Sequence, residues 1–110
     1  MKEIKLGEQT FYVRFGFNAY SIFGEVTGKG LNDMATLDEN LTIKDAIGLV
    51  YAGLKDGARK EKVEFDMQVE DVADLMDDYP ELLTKVMEAF ADSQPAESKN
   101  LKALPKKAKG

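Results

Sequence analysis

Nine consecutive residues near the middle of the chain, Ala46-Ile47-Gly48-Leu49-Val50-Tyr51-Ala52-Gly53-Leu54, carry no charge. In a chain where 32% of residues are charged, that run dictates where everything else must go. Just ahead of it, Thr42 and Asp45 have capping-box spacing, with Asp in place of the usual Glu, which marks a helix start. Ile43, Ala46, Ile47, Val50, Tyr51 and Leu54 then form a broad apolar stripe at helical spacing. Gly48, Leu49, Ala52 and Gly53 fill the opposite side. A helix apolar all round is either buried at the centre of a fold or meets a different surface on each side. The second alternative leaves an exposed face for assembly. Gly57 and the charged Arg59-Lys60-Glu61-Lys62 are expected to break the helix.

The other elements arrange themselves around this segment. Ile4 and Leu6, then Phe11, Val13 and Phe15, alternate with polar residues on either side of Gly7-Glu8-Gln9, the pattern of a β-hairpin with one buried face. Tyr12 and Arg14 fall on the other face, toward solvent. Asn18 is the expected N-cap of a following helix. Ala19, Ile22, Phe23 and Val26 form its stripe, and Gly28 sits where a left-handed residue finishes a helix. Leu31 to Leu41 is polar and irregular. Val63, Phe65, Met67 and Val69 alternate as in a short strand. Helical spacing resumes with Val69, Val72, Ala73 and Met76. Tyr79-Pro80 ends that helix, and Pro80 suits the first turn of the next. Leu83, Val86, Met87 and Phe90 are the stripe of this last helix. The expected fold is α+β and mainly helical, an N-terminal β-hairpin packed on about four helices. Residues 1–92 form one globular domain and residues 93–110 a flexible, disordered Lys-rich tail.

Size and composition narrow the function. At 110 residues the chain suits one domain with one core. Cysteine and histidine are absent, which excludes disulfides, thiol nucleophiles, zinc–thiolate sites and any Ser-His-Asp or Cys-His arrangement. Only carboxylates, Lys and Tyr are left for acid–base work, so binding is expected rather than catalysis, with no cofactor and no metal. No apolar run is long enough to cross a membrane. The N-terminus lacks the apolar core of a signal peptide, so a cytoplasmic location is expected. Residues 1–92 hold 10 basic and 19 acidic residues, a net of −9, whereas residues 93–110 hold five Lys and one Glu, a net of +4. An acidic body is a poor match for nucleic-acid phosphates, and five scattered Lys without Arg or aromatics read as a solvated tail.

Four features invite a more specific reading. In the acidic cluster Glu70, Asp71, Asp74, Asp77 and Asp78, Glu70, Asp74 and then Asp77 or Asp78 lie three or four apart and share a helix face, which reads as solvated, with a cation site or an acidic docking face as alternatives. Gly28-Lys29-Gly30 lacks the spacing and the Ser/Thr of a phosphate loop and reads as a helix terminator. Ser21 lacks the Asp-Ser-Leu context of a carrier-protein attachment site. Among the aromatics, Tyr20, Phe23, Tyr51, Phe65, Tyr79 and Phe90 are mostly core candidates. Tyr20 and Tyr51 flank their stripes, as partly exposed interface anchors do.

Phe17-Asn18-Ala19, Glu25, Thr27-Gly28-Lys29 and Leu49-Val50-Tyr51-Ala52-Gly53-Leu54, in this order after a hairpin, resemble the tail assembly chaperones of long-tailed, siphovirus-like bacteriophages. The resemblance spans roughly residues 4–92, and the Lys-rich tail matches no family feature. It implies a non-catalytic protein that works in the infected host's cytoplasm and is absent from the mature virion. Its partners would be the tape measure protein, whose long apolar helices it keeps soluble, and the tail tube protein that assembles around them. Many such chaperones exist in two lengths through a programmed ribosomal frameshift, and Lys106-Lys107 fits a slippery adenine run. Such work needs an apolar surface that accepts helices, set within solubilising charge. Tyr20, Phe23, Leu49 and Tyr51 are the candidate contact residues. Self-association through the second face of the central helix, giving a homo-oligomer, is a further expectation. The alternative reading is a small acidic adaptor or regulatory protein that binds a single cellular partner.

Overall fold

The computed structural model describes residues 1–30, 32, 33, 37, 39 and 41–93. β1 (Lys2–Leu6) and β2 (Gln9–Val13) form an antiparallel hairpin with Ile4 opposite Phe11 and Leu6 opposite Gln9. Gly7 takes a positive φ of 61° in the turn between them. Four helices follow: α1 (Phe17–Thr27), α2 (Ile43–Glu61), α3 (Val69–Asp78) and α4 (Glu81–Ser93). The fold is α+β and mainly helical, as its periodicities indicate. The Lys-rich tail expected over residues 93–110 lies outside the described residues beyond Ser93.

α2 is the axis of the fold. Its capping box is formed in both directions: the Asp45 N–H donates to the Thr42 hydroxyl at 3.1 Å, and the Thr42 N–H donates to the Asp45 carboxylate at 3.2 Å. The face expected to serve self-association is covered from within the chain. Leu49 and Ala52 are fully buried. A methyl group at Gly48 would lie 2.7 Å from Thr27 Cγ2 on α1. The Gly53 carbonyl accepts the Arg14 N–H at 3.0 Å where the chain leaves β2. Within the apolar run, the Gly48, Leu49, Ala52 and Gly53 side is buried, while Ile47 and Tyr51 on the opposite side are half-buried.

Gly57 does not break α2. The helix continues to Glu61, because the absent side chain lets it press on the backbone of β2. A Cβ at position 57 would collide with the Tyr12 carbonyl group and lie 2.7 Å from the Val13 nitrogen. The actual stop is Lys62, which adopts a left-handed φ of 62°, with its N–H turned back to Ala58 and Arg59. Residues 63–68 are not a strand. Phe65 and Met67 are half-buried and alternate with exposed Glu64, Asp66 and Gln68, but among the described residues the only sheet is the β1–β2 hairpin, and no strand pairs with them. Alternation here records an extended segment laid across the core.

The first helix starts two residues before the sequence suggests. Gly16 is the N-cap of α1, in an extended conformation, and Asn18 is an exposed residue of the first turn. The long-range reason is Asp56, whose carboxylate accepts the Gly16 N–H at 3.2 Å and so fixes where the helix begins. At the other end, Gly28 caps α1 with φ 80° and donates to the Gly24 carbonyl at 2.8 Å, as its position implies. On α4 the buried stripe is Leu82, Val86, Ala89 and Phe90, with Leu83 and Met87 half-buried, a rotation of the expected face. On α3 it is Val72 and Leu75, while Ala73 and Met76 flank it. α3 and α4 pack against α2, and just beyond β2 Phe15 meets Phe90 of α4 edge-on at 5.2 Å.

Candidate partner-binding groove

One flank of α2 stays open. Ile43 and Ile47 are one helical turn apart, and they line an open groove of about 500 Å³ together with Lys44, Val26 of α1 and Val69 of α3. Ile43 is 81% exposed, among the most exposed large apolar side chains in the described residues. Tyr51, one turn beyond Ile47, extends the stripe and packs against Phe65 at 5.9 Å. Lys55 reaches back over Tyr51, with Nζ 3.3 Å from the phenol oxygen, so the tyrosine is half-buried and held in place. Glu25, Lys44 and Glu70, each adjacent in the chain to a groove residue, are exposed. The result is an apolar trough with charges of both signs at its rim.

The groove's walls are fastened together at one end. Lys29, three residues past Val26, places Nζ 3.0 Å from the Asp45 carboxylate, whose side chain is only 2% exposed. Burial pushes that carboxyl's pKa up. Hydrogen bonds from Lys29 and from the Thr42 N–H and hydroxyl, with the charge of Lys29, outweigh it and hold the group below the ordinary carboxylate range. The Thr27 hydroxyl donates to the Phe23 carbonyl at 2.7 Å and accepts the Lys29 N–H at 3.2 Å, which sets the direction in which Lys29 leaves the helix. Thr27-Gly28-Lys29 therefore joins the end of α1 to the start of α2. That is an architectural role, and it explains why a helix terminator carries a lysine.

The four contact residues suggested by sequence separate into two pairs. Phe23 is 1% exposed and Leu49 is fully buried, so both belong to the core. Exposing either would cost about 2 kcal/mol, so neither meets a partner unless the core opens. Tyr20 and Tyr51 are half-buried; Tyr20 packs edge-on against Phe17, which is 82% exposed, at 6.2 Å. Sequence reasoning missed Ile43, Ile47, Val26 and Val69 as surface residues, although their spacing was plain. Every one of them lies on a stripe that periodicity assigns to the core. The acidic row Glu70, Asp71, Asp74, Asp77 and Asp78 is exposed, with Asp71 accepting the Gln68 N–H at the start of α3. No group of acidic side chains with metal-binding geometry occurs among the described residues, and no helix there is long and apolar enough to cross a membrane.

Comparison with protein-family models, curated proteins and solved structures gives no match to this chain.

Proposed function

We propose that this chain is a non-catalytic binding protein whose α1–α2–α3 groove receives the apolar stripe of an amphipathic helix. The observation that supports this most strongly is Ile43, an isoleucine 81% exposed at the mouth of an apolar trough. Isolated surface apolar residues need no explanation, but a continuous row of Ile43, Ile47 and Tyr51 walled by Val26 has the form of a helix-accepting groove. The mixed charges at its rim suit a helix whose polar face stays in water.

The resemblance to tail assembly chaperones gives this reading its biological setting. The helix would belong to a tape measure protein, bound in the host cytoplasm while tail tube subunits assemble around it, and the chaperone would leave before the virion matures. Net acidity in residues 1–92 suits a protein that must keep apolar helices soluble by like-charge repulsion. The test is co-expression of the chain with a tape measure protein. Wild type is expected to hold the partner in the soluble fraction with several copies bound, and Ile43→Asp to lose it to the pellet. A strict one-to-one complex with a single cellular protein would instead support the adaptor reading. Equal solubility with wild type and Ile43→Asp would remove the groove from the mechanism.

A further inference from the structure

β1 has an open outer side. The sheet contains two strands, and among the described residues the backbone of Lys2–Leu6 makes no hydrogen bond outside the hairpin. The outer side of β2 is different, because α2 lies against it at Gly57 and Gly53 takes the Arg14 N–H. Exposed edges are templates for pairing with another strand unless charge or shape forbids it.

The turn determines which groups face outward. Gly7-Glu8 is a two-residue connection with positive φ at Gly7 and not at Glu8, the II′ arrangement. In such a hairpin the closing pair, here Leu6 and Gln9, exchanges both backbone hydrogen bonds, and bonded pairs alternate with non-bonded ones along the ladder. Lys2, Ile4 and Leu6 therefore direct their N–H and C=O groups toward β2. Glu3 and Lys5 direct theirs away from it. Both also carry exposed side chains, while Ile4 and Leu6 point into the core.

We propose that two copies of this chain pair antiparallel through the outer edges of β1, joining their hairpins into a four-stranded sheet with a twofold axis at Ile4. Three registers bring outward-facing residues opposite one another: Glu3 on Glu3, Lys5 on Lys5, and Glu3 on Lys5. The first two oppose like charges directly, which is destabilising in a cross-strand pair. The third sets Glu3 of each copy against Lys5 of the other, twice by symmetry, and satisfies the outward N–H and C=O groups of both residues in both copies. The surface is thus complementary to itself, as a closed twofold interface requires. The core-facing side chains Ile4 and Leu6 stay beneath their own helices. This inference does not depend on the groove or on the tail-assembly reading.

Sedimentation equilibrium of the full chain over the micromolar to millimolar range tests it. The expected result is a reversible monomer–dimer equilibrium. Glu3→Lys should raise the dissociation constant at least about ten-fold, since two attractive pairs become repulsive. The double variant Glu3→Lys with Lys5→Glu restores opposite charges and should return dimerisation to near wild type. Lys5→Pro removes an outward N–H without touching the ladder and should abolish the dimer. If proline also disturbs the hairpin, the charge variants still decide, because both side chains are exposed. A monomer at every concentration overturns the proposal, as does a dimer indifferent to Glu3→Lys, and so does failure of the charge swap to restore pairing.

Discussion

The two ends of α2 each bury a carboxylate, but they are built differently. At the C-terminal end Asp56 is fully buried and accepts from Arg14 at 3.0 Å, from Arg59 at 3.0 Å and from the Gly16 N–H at 3.2 Å. One side chain there ties the exit of β2, the start of α1 and the last turns of α2. At the N-terminal end Asp45 caps its own helix and holds a single cation, Lys29. The first end is sealed by three segments. The second is joined on one side only, and its other flank is the groove containing Ile43 and Ile47. In this fold the apolar flank that stays open lies at the end of α2 with the fewer cross-links.

That contrast can be broken from its strong end first. Asp56→Ala should cost about 3 kcal/mol, because it removes charge-assisted hydrogen bonds and leaves the Gly16 N–H without its acceptor. Thermal denaturation would show a fall of more than about 10 °C for a domain of this size. A loss of only a few degrees would mean that the C-terminal end is not the anchor. Gly57→Ala comes next, at about 2 kcal/mol, since the added methyl must push α2 away from the Tyr12 carbonyl. The same substitution in an exposed helix would stabilise, so the sign alone checks the close approach.

The weak end predicts smaller effects. Asp45's carboxyl is held below the ordinary carboxylate range in the folded chain. Its contribution to stability is therefore complete above about pH 4, the unfolded value, and is lost as pH falls through the lower folded value. Lys29→Met should remove about 1 kcal/mol at neutral pH and flatten the acid limb of a stability–pH profile. An unchanged acid limb would show that Lys29 does not hold Asp45. Smallest of all, Ile43→Asp should alter stability by less than about 0.5 kcal/mol, because the side chain already lies in water. A large destabilisation by Ile43→Asp would place that residue in the core and eliminate the groove.

Signals carried by a few neighbouring residues were legible in the sequence. The Thr42–Asp45 box, the Gly28 stop, the hairpin alternation around Gly7 and the Tyr79-Pro80 break all encode local backbone geometry, and the structure repeats them. What the sequence did not disclose depends on distant partners. Asn18 has the better capping side chain, yet Gly16 caps α1 because Asp56 holds its N–H across 40 positions of chain. Gly57 looks like a helix breaker until β2 is seen against it. The site follows the same rule. Periodicity showed that α2 has two apolar faces but not which one the chain would cover, since that depends on where α1, α3 and the hairpin lie. Phe23, a core candidate by its spacing, and Leu49 therefore serve as core although both were candidates for partner contact, whereas Ile43 and Ile47, on the stripe that periodicity assigns to the core, line the opening.

The central claim is that the open flank of α2 is where a helical partner sits. The most direct measurement is an amide chemical-shift titration of the full chain with an amphipathic helical segment of a tape measure protein. The account predicts shifts concentrated at Val26, Ile43, Lys44, Ile47, Tyr51 and Val69, with the surroundings of Asp56 unmoved. Perturbations centred on Arg14, Asp56 and Arg59, or binding that leaves the groove amides unchanged, would contradict it.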